Sequence, residues 1–209
     1  MKKQVVVIHG GDAFKTYKDY MAYLRSLRID LDRYRGTGWK DSLSEKLGNR
    51  FDVLLPRMPN PTNAKYDEWK ILFDKIARLL EDNVILIGHS LGGVFLAKYL
   101  SENKFPKKIL ASILVAAPYD QKDIEEFLGD FIVSNNLEKL RKQGGKIFIY
   151  HSEDDPVVPY IDLGKYQKAL PDAVVRVFKD REHFSQSEFP ELVEEIKKIW
   201  RGFGEGKNN

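Results

Sequence analysis

Six short runs of apolar, largely β-branched residues punctuate the chain: Gln4 to Ile8, Phe51 to Leu55, Val84 to Ile87, Ile109 to Ala116, Lys146 to Tyr150 and Ala173 to Phe178. Most are apolar throughout rather than alternating, the pattern of strands covered on both faces in a parallel sheet. Between them the period changes. Ala64 to Glu81 places Trp69, Leu72, Phe73, Ile76, Leu79 and Leu80 at helical spacing. Further helices are predicted over Leu91 to Glu102, Asn136 to Gln143, Tyr160 to Ala169 and Glu191 to Arg201, with Pro190 suited to the first turn of the last. Strands alternating with helices predict an α/β fold, a three-layer sandwich with right-handed crossovers. The 209 residues suit one core, and no Pro/Gly/Ser-rich linker or repeat divides them. A single domain over residues 1–201 is expected, followed by a frayed tail over 202–209 that has no apolar period.

The segment 12–40, between the first two strands, breaks this rhythm. It is charged and aromatic, with Phe14, Tyr17, Tyr20, Tyr23, Tyr34 and Trp39. One helix is expected from about Thr16 to Leu27, with Tyr20, Leu24 and Leu27 along one face. Two readings stand side by side. The aromatics pack this helix onto the sheet, or the end of the segment, Arg35 to Trp39, forms a mobile lid with Trp39 against a substrate. Trp69 is expected in the core.

The junction of the third strand and the following helix carries the strongest chemical signal. Gly88-His89-Ser90-Leu91-Gly92 places a hydroxyl at the apex of a strand–turn–helix, the pattern of a nucleophile elbow. Strained angles at Ser90 need nearly side-chain-free neighbours two residues away, and Gly88 and Gly92 meet that need. The turn aims the N–H of Leu91 at the place where a carbonyl oxygen gains charge, and the helix dipole adds to that field. The plainer reading is a βα turn with a serine N-cap.

A serine needs a base, and the base an orienting acid. The chain has four histidines: His9, His89, His151 and His183. His89 lies inside the elbow, where its side chain is expected to point away from the Ser90 hydroxyl. In the order Ser, acid, His, only His151 and His183 follow Ser90, and only His183 also follows a suitable acid. The acids come from Asp154 and Asp155, in a loop directly after the fifth strand run, where α/β proteins build sites. Asp155 is favoured because Pro156 restricts its backbone. A metal site from Glu153, Asp154 and Asp155 is not expected, because no histidine spacing supports it. A second oxyanion donor is expected from His9-Gly10-Gly11 at the end of the first strand, with Gly11 presenting its N–H. That glycine turn fits neither dinucleotide-binding nor phosphate-loop spacing.

These residues resemble a family. Val5-Val6-Val7-Ile8-His9-Gly10, Pro59-x-Pro61 with Trp69, the Gly88–Gly92 elbow, Ser152 to Pro159 and His183-Phe184 together look like the small serine hydrolases of the α/β-hydrolase superfamily. The likeness runs from about Lys3 to Trp200. It implies a sheet order of 2-1-3-4-5-6, Ser90 as nucleophile, Asp155 as acid and His183 as base, and hydrolysis of small carboxylic esters without a cofactor. The sequence departs from the family where Arg181-Glu182 stand before the histidine, a place the family usually gives to Gly.

Charge and composition limit the alternatives. Thirty-four basic residues face 31 acidic ones, a formal net charge of +3, too weak to argue for nucleic acid or a membrane surface. There is no cysteine, so disulfides are excluded. Met1-Lys2-Lys3 run straight into a strand, so no signal peptide or membrane span is expected and the protein is read as cytoplasmic. The expected partner is a small ester. The rival reading is a binding module that keeps the hydrolase fold, against which the full Ser90, Asp155 and His183 set weighs.

Overall fold

The computed structural model of the chain describes residues 2–29, 31, 35, 36, 38–133 and 136–205. Six strands form one sheet: β1 (Lys3–Ile8), β2 (Phe51–Leu54), β3 (Val84–His89), β4 (Ile109–Val115), β5 (Lys146–Ser152) and β6 (Val174–Phe178). Their order is β2-β1-β3-β4-β5-β6, and every neighbouring pair is parallel. The helices are α1 (Tyr17–Ser26), α2 (Trp39–Leu47), α3 (Tyr66–Leu79), α4 (Leu91–Glu102), α5 (Glu138–Gln143), α6 (Ile161–Ala169) and α7 (Pro190–Glu205). None of the described helices is long and apolar enough to cross a membrane.

Alternation along the strands divides the core in two. Val6 and Ile8 of β1 join Trp69 and Phe73 of α3 and Phe95 and Tyr99 of α4 on one face. Val5 and Val7 join Trp39 and Leu43 of α2 and Leu192 and Ile196 of α7 on the other. All six residues of β3 are buried, as a central parallel strand requires. Each large apolar side chain taken from water contributes about 1.5–3 kcal/mol. Trp69 is fully buried, and its Nε1–H donates to the Pro59 carbonyl at 2.7 Å, so burial leaves no orphaned donor.

Several elements differ from the sequence expectation. Helix α2 is new: Trp39, Leu43 and Leu47 recur every four residues on its buried face. Helix α1 sits where expected, closed by a Thr16–Asp19 capping box, yet it has no buried residue. Its aromatics therefore do not pack it onto the sheet. Phe14 instead meets Tyr20 and Tyr23, with ring centroids 5.5 and 4.9 Å apart. Residues 202–205 continue α7 rather than fraying, and 206–209 lie outside the described residues. Strands β3 and β5 each run two residues beyond their predicted ends, through His89 and Ser152. Ladder pairing to β4 and β6 carries these polar residues to the carboxyl edge of the sheet.

Candidate active site

Ser90 has φ 56° and ψ −125°, a conformation that costs a non-glycine residue on the order of 1–3 kcal/mol and persists only where its surroundings enforce it. Those surroundings are backbone. A Cβ on Gly88 would lie 2.3 Å from the Gly92 carbonyl oxygen, and one on Gly92 would lie 2.4 Å from the carbonyl oxygens of Ile8 and His9. Three chain segments thus meet without room for a methyl group. The Ser90 N–H donates to the Val115 carbonyl at 2.9 Å, and its carbonyl accepts from Gly93 and Val94. Leu91 opens α4, so its N–H has no acceptor one turn back.

The β1–β3 register, Ile8 opposite Gly88, sets the turn after β1 beside the elbow. A Cβ on Gly10 would stand 3.1 Å from the Ser90 Cβ, and one on Gly11 2.5 Å from the Pro61 carbonyl oxygen. His9 orders this turn. Its Nε2 accepts from the Met58 N–H at 2.9 Å, so Nδ1 carries the proton and donates to the Gly10 carbonyl at 2.6 Å. Burial lowers the His9 pKa, against the pull of that hydrogen bond.

At the end of β5 the two candidate acids take different partners. The side chain of Asp155 is fully buried. Its Oδ1 accepts from the Val157 and Val158 N–H groups at 2.8 and 3.0 Å, and Nδ1 of His183 lies 2.9 Å from Oδ2 and 3.1 Å from Oδ1. A carboxylate only accepts, so Nδ1 donates and Nε2 is left for chemistry. Asp154 accepts instead from the Ser152 hydroxyl at 2.5 Å and the Glu182 N–H at 3.0 Å. The Ser152 hydrogen bond, first among its causes, lowers the Asp154 pKa. His151 is buried at the end of β5, where its Nε2 meets the Val158 carbonyl at 3.2 Å.

The loop bearing His183 is wound tightly. Glu182 has φ 45° and Phe184 φ 53°, both in the left-handed region. The position where the resembling family usually has Gly is left-handed here, and a glutamate occupies it. Side chains tether the loop. Trp39 Nε1 donates to the Phe184 carbonyl at 2.9 Å, and His89 Nε2 lies 2.8 Å from the His183 carbonyl. Lys40 Nζ lies 3.2 Å from His89 Nδ1. The His89 and His183 rings are 5.1 Å apart. Burial, then the charges of Lys40 and His183, lowers the His89 pKa well below its ordinary value. Burial also lowers Lys40, to about 8, with Asp41 opposing.

Trp39 is therefore not a substrate contact. It is 2 % exposed, packs edge-on against Phe189 at 5.6 Å and opens a core helix. The lid expected over Arg35 to Trp39 loses its anchor to the core, and Thr37 lies outside the described residues. The cleft beside Ser90 measures about 200 Å³ and is lined by Gly11, Leu91 and Val158 together with two loop segments. One is Asp12, Ala13 and Phe14, joined by Tyr23. The other is Ile124 and Glu126 to Leu128, after β4. Burial, then the charge of Asp12, raises the Glu126 pKa. A wider hollow of about 830 Å³ lies at the opposite edge of the sheet, beside α7, and contains none of these groups. Sequence reasoning missed the wall residues and the tethers Lys40 and His89. Only the place of His89 in the elbow, facing away from the serine, hinted at a role.

The model for the serine hydrolase family matches residues 33–194. A rat protein, serine hydrolase RBBP9, is 28% identical over 162 residues, 78% of this chain and 84% of that protein. The YdeN protein of Bacillus subtilis is 24% identical over 189 residues, 90% of this chain and 89% of its own. The solved structure of the B. subtilis ydeN gene product superposes with a TM-score of 0.70 at 18% identity, covering 96% of this chain and all of that one. Naproxen esterase from B. subtilis superposes at 0.59 and 14% identity, over 97% and 84% of the two chains. The elbow, the parallel sheet and these likenesses agree: the chain belongs to the serine hydrolase family and has the α/β-hydrolase fold.

Proposed function

We propose that the protein cleaves small carboxylic esters through an acyl-enzyme on Ser90. The observation that carries this reading is the pairing of Asp155 with Nδ1 of His183, on a loop hydrogen-bonded to the residue before Ser90. In the first half-reaction Ser90 Oγ bonds to the carbonyl carbon while His183 Nε2 takes its proton. The tetrahedral oxyanion is held by the N–H groups of Leu91 and Gly11. As the C–O bond to the alcohol breaks, His183 returns the proton to the leaving oxygen. Water then attacks the acyl group with His183 again as base, releasing the acid and restoring Ser90. Asp155 fixes the ring and stabilises its cation. No step calls for a cofactor. The modest volume of the cleft and its mostly apolar lining, with Asp12 and Glu126 as the charged exceptions, favour short acyl or alcohol groups.

The test is turnover of an activated ester by variants whose fold is verified by circular dichroism. Ser90→Ala and His183→Ala should each lower kcat by at least roughly 10³-fold, and the double variant should lose little more, because the groups act as a unit. Near-wild-type turnover by either folded single variant would remove that residue from the mechanism.

A further inference from the structure

The His183 loop is held on one side by two consecutive residues of α2, and one of them acts through an intermediary. Trp39 binds the Phe184 carbonyl directly. Lys40 reaches the preceding carbonyl, that of His183, only through the His89 ring. The chemistry of the groups fixes the direction of this chain. A carbonyl only accepts, so His89 Nε2 must carry a proton to bond the His183 oxygen at 2.8 Å. A lysine ammonium only donates, so His89 Nδ1 must offer its lone pair at 3.2 Å. His89 is 7 % exposed, and within this pocket the ring is neutral with its proton on Nε2. The other neutral tautomer would set the Nε2 lone pair against the carbonyl oxygen and the Nδ1–H against the Lys40 hydrogens. Both contacts would be repulsive.

We propose that Lys40 is a positioning residue for His183: its donation to Nδ1 of His89 holds the ring in the Nε2–H tautomer, which in turn holds the His183 carbonyl. This rests on His183 as the base of the proposed ester hydrolysis. The need for such a tether is local. Glu182 and Phe184, on either side of His183, both have left-handed backbone angles, so this stretch stays wound only while its main chain is held. Asp154 holds the Glu182 N–H, Trp39 the Phe184 carbonyl, and the Lys40–His89 pair the carbonyl of His183 itself. The Lys40 stem is not a substitute for the amine. Its Nζ lies over the Trp39 ring at 4.8 Å and brings the donor to the one open nitrogen of His89. A neutral Lys40 amine still has N–H donors for Nδ1, but it also has a lone pair, so the ammonium is the form that enforces the Nε2–H tautomer.

Two variants and one spectrum test this. Lys40→Met keeps an apolar stem and removes the donor; Lys40→Arg restores a donor. With a small activated ester, Lys40→Met should lower kcat about tenfold with KM changed less than about twofold, the signature of a misplaced base rather than a lost substrate contact. Lys40→Arg should recover most of that loss. Nitrogen-15 correlation spectra of the His89 ring should show the Nε2–H tautomer in the wild type and a mixture of both tautomers in Lys40→Met. Wild-type kcat in Lys40→Met, or an unchanged His89 tautomer there, would overturn the proposal. Lys40→Leu gives the same reading if the methionine variant is poorly soluble. Failure of the hydrolase reading is seen separately, as undiminished turnover in His183→Ala.

Discussion

The serine half and the histidine half of the candidate site are held by opposite means. Around Ser90 the backbone does the holding. Gly88 and Gly92 let β1, the elbow and α4 approach to distances no Cβ would allow. Around His183 side chains do it: Asp155 on the ring, and Asp154, Trp39 and the Lys40–His89 pair on the main chain. Both halves contain left-handed non-glycine residues, Ser90 on one side and Glu182 and Phe184 on the other. Both halves carry positive-φ backbone; what differs is the restraint. A backbone junction tolerates no substitution, whereas a set of tethers can lose one member and keep the rest.

The comparison breaks most visibly at Gly92. Gly92→Ala puts a methyl group 2.4 Å from two carbonyl oxygens, so the elbow must open. Thermal melts should show a loss of about 3 kcal/mol or more, and ester turnover should vanish with it. A stable, active Gly92→Ala protein would mean that the junction has slack.

On the histidine side the two acids should separate. Asp155→Asn should lower kcat by about 10³–10⁴-fold at little change in melting temperature, since an amide in that place can favour the wrong ring tautomer. Asp154→Asn touches only the tether to Ser152 and Glu182 and should cost about tenfold or less in kcat. Equal losses would show that the ring and the loop are not restrained independently.

Trp39→Ala sharpens the contrast further. It removes a buried indole and should cost about 3–5 kcal/mol of stability while leaving the preference among acyl chain lengths unchanged. An altered preference with an unchanged melting temperature would return Trp39 to the cleft.

The smallest effect is a pH dependence. Lys40 has its folded pKa lowered to about 8, whereas an unfolded lysine titrates near about 10.4. Between those values the unfolded chain holds a proton that the folded one has released, so this group makes stability rise with pH across the window and gives nothing below it. Wild type should therefore gain on Lys40→Met as pH climbs from about 8 towards 10, measured by denaturant melts. A constant gap would place Lys40 in a more solvated setting.

The same contrast explains what the sequence could show. The elbow is written in five consecutive residues because a backbone crossing constrains glycines locally, and the buried strands are written in continuous apolar runs for the same reason of short range. The partners of the His183 loop come from α2, β3 and the loop after β5, up to 145 residues away, as Trp39 and Phe184 are. No local spacing encodes such contacts. Helix α2 was missed because its buried stripe, Trp39, Leu43 and Leu47, is thin and follows a charged segment. The cleft walls, Asp12 to Phe14 and Glu126 to Leu128, sit in loops whose path depends on packing rather than on period.

Whether Ser90 is the activated nucleophile is decided by covalent labelling with a fluorophosphonate. The wild-type chain should carry one probe adduct, located by peptide mass spectrometry on Ser90; Ser90→Ala should carry none, and labelling should be slowed by orders of magnitude in His183→Ala. Labelling of Ser90→Ala to the same extent, or a wild-type chain that stays unlabelled, would contradict that role for Ser90.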